Sequence, residues 1–403
     1  MEATGLLPEV IIIGEFTFPY GSAAANNLRG HCCALRTAGF SVGLLPCSDS
    51  VGEESEPEKS YGGMPYWLIR KSPPGPRYFR VMRSYLSLDD NRIAWLRRRA
   101  LAGVKAVIVY PGIVGVSAFL LRLRSICRYY SIPILSYVVE WHSPGDFRGR
   151  YRLLTICDTA LQISAVNKLL DGTICISRYL HSYYVRKGCR AVCIPPLLDL
   201  SDSKWEAGSG GGKPDVGCSV RLLFSGSPDR DRHDVILQAI LRMRQQGHDV
   251  SIEYLGSSRE RVEEFLGSRG DLVASLGAGV RFHGRVPEDQ VGRIVQSASF
   301  GVLLRDQARW SRSCFPSRVP EFSAFGVPMI CNLSSDLGSF LRDGENAIVV
   351  PDVSVEGFFS TLQKAVHLSA DAFHSMRTQA KRLARRFDGT AYAHSYREIL
   401  EYV

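Results

Sequence analysis

The chain has 403 residues, 45% of them apolar and 22% charged, with a mean hydropathy near zero, a composition that excludes the disordered, fibrous and membrane-embedded classes. Domains cluster at about 100–200 residues, so this length implies two. The formal net charge of +9 lies wholly in residues 1–199 and the remainder is neutral, so a basic surface is expected on the first half alone.

At the start, residues 1–16 contain acidic residues and no basic leader before the apolar run, which reads as a buried strand rather than a signal peptide. Residues 10–13 are the β-branched run of that strand. The stretch is followed by a Gly/Ser/Ala-rich turn and a helix over 25–38, the opening of a doubly wound α/β domain. The most basic part, residues 70–105, holds Arg80, Arg83, Arg92, Arg97, Arg98 and Arg99, with Ile93, Leu96 and Leu101 at helical spacing. Such a segment suits either an anionic membrane surface or a solvated helix face. No nucleic-acid-binding motif accompanies the charge.

Further strands are expected over 104–110, 132–139, 172–176 and 191–194, separated by lengths that allow crossover helices and so a parallel sheet. Residues 201–219 are polar, Gly/Ser-rich and aperiodic, and read as a linker. The same grammar then restarts: a strand over 220–224, a turn at Gly226, a helix over 234–246, and strands over 252–255, 280–283, 300–304, 328–331 and 347–350. The fold class is therefore α/β, with two Rossmann-like domains facing a cleft that would hold a ligand.

Eleven cysteines, an odd number with no Cys-x-x-Cys pair, fit neither a disulfide framework nor a zinc site. Free thiols and a cytoplasmic setting are expected. No apolar stretch reaches the ~20 residues of a membrane helix.

The most specific signal is an ordered series. A Phe315-Pro316-Ser317-Arg318 turn precedes Glu321, then come Gly326-Val327-Pro328-Met329-Ile330, Ser334-Ser335-Asp336 and Asp343-Gly344-Glu345-Asn346. This order resembles the donor site of the family-4, GT-B-fold retaining glycosyltransferases (glycosyl transferases group 1). The resemblance covers most of the chain and is strongest over 224–352. It implies an N-terminal acceptor domain over 1–200, a donor domain over 219–386, and a C-terminal helix over 387–403 that returns to the first domain. The implied reaction moves a sugar from a nucleotide diphosphate sugar to a glycan or lipid-linked acceptor, in polysaccharide biosynthesis, with no cofactor or metal beyond the donor. A carboxylate suits ribose hydroxyls and guanidiniums suit a diphosphate, so Glu321 falls to the ribose and Arg230, Arg305 and Arg318 to the phosphates, with Arg230 and Glu321 as the catalytic pair. Phe315, Pro316, Ser317 and Gly226 line the same implied donor site.

The family's first loop matches residues 18–30, which makes Gly21 and Ser22 candidates for phosphate or acceptor contacts. Residues 138–147 match its Glu-Trp segment, placing Glu140 and His142 toward acceptor hydroxyls with Trp141 as a stacking surface; the alternative is a strand-end histidine beside a core tryptophan. Ser177 reads as a helix N-cap. One departure matters: Ser313 stands where many members carry the first Glu of a Glu-x7-Glu pair. That substitution supports a second reading, a non-catalytic subunit of a heteromeric transferase. A sugar-phosphate epimerase of similar build is a third, while a dehydrogenase lacks its Gly-x-Gly-x-x-Gly loop.

Overall fold

The computed structural model describes residues 7–47, 58–70, 90–99, 101, 103–110, 112, 115–147, 149, 151–206 and 219–401. The chain divides into two compact units. One comprises Met1–Asp199 with Ser313–Phe315 and Gly389–Val403; the other comprises Leu200–Arg312 and Pro316–Asp388.

The first unit is built on an eight-stranded sheet. Its strands are β1 (Val10–Gly14), β2 (Val42–Pro46), β3 (Lys59–Tyr61), β4 (Met64–Tyr66), β5 (Ala106–Tyr110), β6 (Ile134–Val138), β7 (Gly172–Cys175) and β8 (Ala191–Cys193), in the order β3-β4-β2-β1-β5-β6-β7-β8. Every pairing is parallel except the β3–β4 hairpin at the edge. All five residues of β1 are buried, as the unbroken Val-Ile-Ile-Ile run requires of a strand covered on both faces. Sheet order reverses between β1 and β5, which makes their carboxyl ends the switch point of this unit.

The described part of the basic stretch is an amphipathic helix with its apolar face turned inward. Arg80 and Arg83 lie outside the described residues. The helix Asn91–Arg98 buries Ile93, Trp95 and Leu96, so its apolar face is committed to the core rather than to a lipid surface. Arg92 goes inside with them, its guanidinium bonded to both Asp90 carboxylate oxygens (2.9 and 2.6 Å) and lying 3.9 Å over Phe119. A buried arginine needs such a partner, because an unanswered charge there is costly. Arg97 and Arg98 stay exposed.

The last helix, Ala393–Glu401, packs on the first, Ala23–Thr37. Its Tyr396 hydroxyl bonds His31 Nδ1, and Arg397 donates to the Thr37 and Ala38 carbonyls (both 3.0 Å). Gly30 sits where a Cβ would come within 2.4 Å of the Leu197 carbonyl carbon, so a glycine is needed for the chain to pass.

The second unit holds a six-stranded, all-parallel sheet: β9 (Val220–Ser225), β10 (Val250–Leu255), β11 (Val280–Gly284), β12 (Phe300–Leu303), β13 (Met329–Cys331) and β14 (Ala347–Val349), ordered β11-β10-β9-β12-β13-β14. Its core gathers Leu222, Phe224, Ile236, Ile240, Phe300 and Phe358, each fully buried. Order reverses between β9 and β12, and ligands of such sheets bind outside the carboxyl ends at that reversal. The expected linker is ordered at its start, where Trp205 is buried and packs on Phe325 with ring centroids 5.2 Å apart; residues 207–218 lie outside the description.

None of the described cysteines forms a disulfide with another. Among the described residues, no helix is long and apolar enough to cross a membrane and no cluster of His, Cys, Asp or Glu fits a metal ion.

Candidate functional site

At the carboxyl end of β9 the chain turns through Gly226, whose φ of +105° only glycine adopts without strain. Its amide donates to the Leu255 carbonyl (2.9 Å), and the amide of Gly256 (φ +89°) donates to the Gly284 carbonyl (2.7 Å). These glycines extend the ladder past β9, β10 and β11, and leave Gly226 exposed at the rim.

Beyond that turn, Asp231 organises the switch point. It is 1% exposed, and its carboxylate accepts from the Leu304 amide (3.1 Å) and from Arg318 Nη2 (2.6 Å), with Arg305 Nε 3.8 Å away. The Arg232 amide returns a bond to the Leu304 carbonyl (2.8 Å). Loops following β9 and β12, far apart in sequence, are thereby tied together. Burial pushes the Asp231 carboxyl up, but the Arg318 and Arg305 guanidiniums outweigh it and hold the group below its ordinary range. Arg318, 8% exposed, also donates to the Val302 carbonyl (3.2 Å) and lies 4.0 Å over Phe224. Its own pKa is pulled down by burial, with the Arg305 cation adding to that and the Asp231 and Glu321 charges opposing it.

Arg305 is fixed from behind. Asn332, at the end of β13, accepts from its amide (3.0 Å) and donates to its carbonyl (2.8 Å). Its guanidinium carbon and that of the half-buried Arg230 each lie 5.5 Å from the centroid of one ring, Trp310. Two candidate phosphate ligands from two different loops are thus brought to one place. Glu321 lies in the first turn of the helix Arg318–Ala324, half-buried rather than sealed in the core, its amide bonded to the Ser317 carbonyl (3.3 Å). Pro316 is buried and Ser317 half-buried at the start of that helix.

His233 opens the next helix, fully buried, with Nδ1 2.9 Å from the Tyr254 hydroxyl. Burial lowers its pKa from 6.5 to about 4, and burial likewise takes His31 of the first unit from 6.5 to about 3. A folded pKa below the unfolded one means that the unfolded chain protonates first. The contribution is therefore intact above pH 6.5 and is lost as the pH falls toward the folded value. Acidification from pH 7 to 5 is expected to cost about 1–2 kcal/mol of stability per histidine, read from urea-unfolding midpoints. Equal midpoints at the two pH values would count against neutral, buried rings.

In the first unit, Gly21 (φ +95°) is exposed with open space around its α-carbon, and Ser22 caps the helix Ala23–Thr37 by accepting from the Ala25 amide (3.1 Å) while sharing a hydrogen bond with Thr17 (2.8 Å). Glu140 Oε1 stands 2.9 Å from His142 Nε2, and Asp146 is 3.8 Å from the other ring nitrogen. Burial, and after it the Glu140 charge, raise the Tyr110 phenol above its ordinary range. Trp141 packs edge-on to Tyr183 (4.7 Å). Ser313 is fully buried: its hydroxyl accepts from the Trp141 amide (2.9 Å) and its carbonyl accepts from the Ser177 hydroxyl (2.6 Å). Phe315 is buried beside it in the chain. Ser177 also caps its helix, accepting from the Leu180 amide (3.4 Å). A shallow depression of about 300 Å³, lined by Arg36, Phe40 and Met64 among others, lies at the amino end of β2, away from the ligand end of the sheet.

Asp231, Trp310 and Asn332 were not singled out by sequence reasoning. Asp231 adjoins Arg230 in a Gly-Ser-Pro-Asp-Arg-Asp turn and reads there as turn chemistry. Its partner Arg318 is 87 residues away.

Residues 219–368 match the family model described as glycosyl transferases group 1. No curated protein sequence matches the chain. Among solved structures, HepE of Anabaena in complex with UDP-glucose is similar at 13% identity and a TM-score of 0.66, over 98% of this chain and 100% of that one. Sucrose-phosphate synthase of Thermosynechococcus elongatus is similar at 15% identity and 0.66, over 98% and 99%. An α,α-trehalose-phosphate synthase (UDP-forming) of Burkholderia xenovorans is similar at 11% identity and 0.67, over 98% and 100%. At these identities the likeness is one of fold. The segment 219–368 is thus similar to the group 1 glycosyl transferases, and the chain that carries it has the GT-B type of fold, built on two parallel-sheet units.

Proposed function

We propose that the protein moves a sugar, with retention, from a nucleotide diphosphate sugar to a hydroxyl of a glycan or lipid-linked acceptor in polysaccharide biosynthesis. The observation that carries this reading is the meeting of Arg230 and Arg305 at Trp310, at the carboxyl ends of β9 and β12, within a group 1 segment. Departure of a diphosphate develops charge on its oxygens, and preorganised guanidiniums are suited to meet it. Glu321, the only acidic residue of its helix's first turn and half-exposed, takes the ribose hydroxyls in this scheme. Arg318 serves by holding Asp231, and through it the Arg305 loop, rather than by touching phosphate. Glu140, His142, Gly21 and Ser22 are assigned to the acceptor side, and exposed Arg97 and Arg98 to peripheral contact with an anionic cytoplasmic membrane face.

Because HepE is solved with UDP and with UDP-glucose, uridine diphosphate is the first ligand to test, with guanosine diphosphate beside it. Isothermal titration is expected to show one of the two binding and the matching nucleoside binding more weakly. A chain that ignored both diphosphates would be the non-catalytic subunit instead, a reading that Ser313 in place of the family's Glu favours.

A further inference from the structure

Two guanidiniums that converge on one anion repel each other until the anion arrives, so something must hold them. A carboxylate between them would cancel the charge that the ligand is to meet. Asp231 already answers one positive charge, that of Arg318 at 2.6 Å, and stands 3.8 Å from a second, Arg305. An aromatic face attracts a cation through its quadrupole while leaving the cation's net charge in place. Trp310 offers such a face to Arg230 and to Arg305, each 5.5 Å from its centroid and within the range of that attraction. The ring belongs to the helix Arg309–Ser313, which follows the Arg305 loop directly.

We propose that Trp310 is the positioning residue of the diphosphate site, aligning Arg230 and Arg305 as a cationic pair without neutralising them. This rests on the donor-site reading above. The indole does not touch the reacting atoms; it sets where the two charges stand. Arg305 is further held through its backbone by Asn332.

Full-length wild type, Trp310→Leu and Trp310→Phe are titrated with uridine diphosphate, guanosine diphosphate and the two nucleosides, with circular dichroism melts as a folding check. Two cation–ring contacts, one from the buried Arg305 and one from the half-buried Arg230, predict that Trp310→Leu weakens diphosphate binding about tenfold and leaves nucleoside binding unchanged, whereas Trp310→Phe, which keeps a ring, stays within about threefold of wild type. Equal losses for diphosphate and nucleoside would show a structural role and overturn the proposal. So would a Trp310→Phe protein as weak as Trp310→Leu, or a Trp310→Leu protein as tight as wild type. Wild type that binds no diphosphate would instead remove the donor-site reading itself, and this proposal with it.

Discussion

Replacing Asp231 with asparagine is expected to destabilise the second unit by about 3–5 kcal/mol, the range for breaking a buried ion pair on one side. Asparagine keeps the shape and can still accept from the Leu304 amide. What it cannot do is answer the Arg318 guanidinium, which is sealed among Phe224, Val302 and the β9 loop. The uncompensated charge, rather than a lost contact, carries the cost. Urea-unfolding midpoints compared with wild type at pH 7 measure it. The double change Asp231→Asn with Arg318→Met removes both charges and is expected to recover part of the loss, since an apolar replacement of a buried pair is often close to neutral. A single-variant loss below about 1 kcal/mol, the level of exposed ion pairs, would mean that Asp231 does not hold this network. The acid dependence has a definite sign. With its folded pKa held below 3.8, the contribution of Asp231 is complete above that value and disappears only as the pH falls through the lower folded one. Asp231 therefore contributes no loss of stability between pH 6.5 and 4, whereas the buried His31 and His233 do.

Arg230→Gln is expected to lower kcat for donor turnover by about 10²–10³, the range for losing one preorganised donor to developing charge. Arg230 is half-buried at a loop end and is not part of the core network, so the variant should melt like wild type. Loss of a charge that matters most as the diphosphate leaves should fall on kcat more than on KM. A variant with unchanged kcat would exclude Arg230 from the leaving-group side.

Much of the fold was legible because parallel strands buried on both faces are written as continuous apolar runs. Val10 to Ile13 is of that kind and Leu222 to Phe224, after the half-buried Arg221, is a shorter run of the same sort; each is followed by a glycine turn and a helix. The strands that sequence reasoning passed over lack this signature. β2 is Val-Gly-Leu-Leu-Pro, with a glycine and a closing proline, and β3 and β4 are three residues each in a polar stretch. The helix at Asn91–Arg98 shows a different limit: helical spacing was correct, but nothing local tells that Arg92 turns inward to Asp90. The same holds at the site. Glu321 and the arginines stand out by motif order, whereas Asp231 and Trp310 acquire meaning only from partners brought in by the sheet order, Arg318 in one case and the Arg230–Arg305 pair in the other.

The most direct test of the whole account is donor turnover by Glu321→Gln, followed by mass spectrometry of released nucleoside diphosphate. Glutamine keeps the size of the side chain and removes the charge that would bind both ribose hydroxyls. The account predicts a wild-type protein that releases diphosphate from a nucleotide sugar and a variant that folds alike but has lost at least about a hundredfold of that turnover. A variant as active as wild type would contradict it.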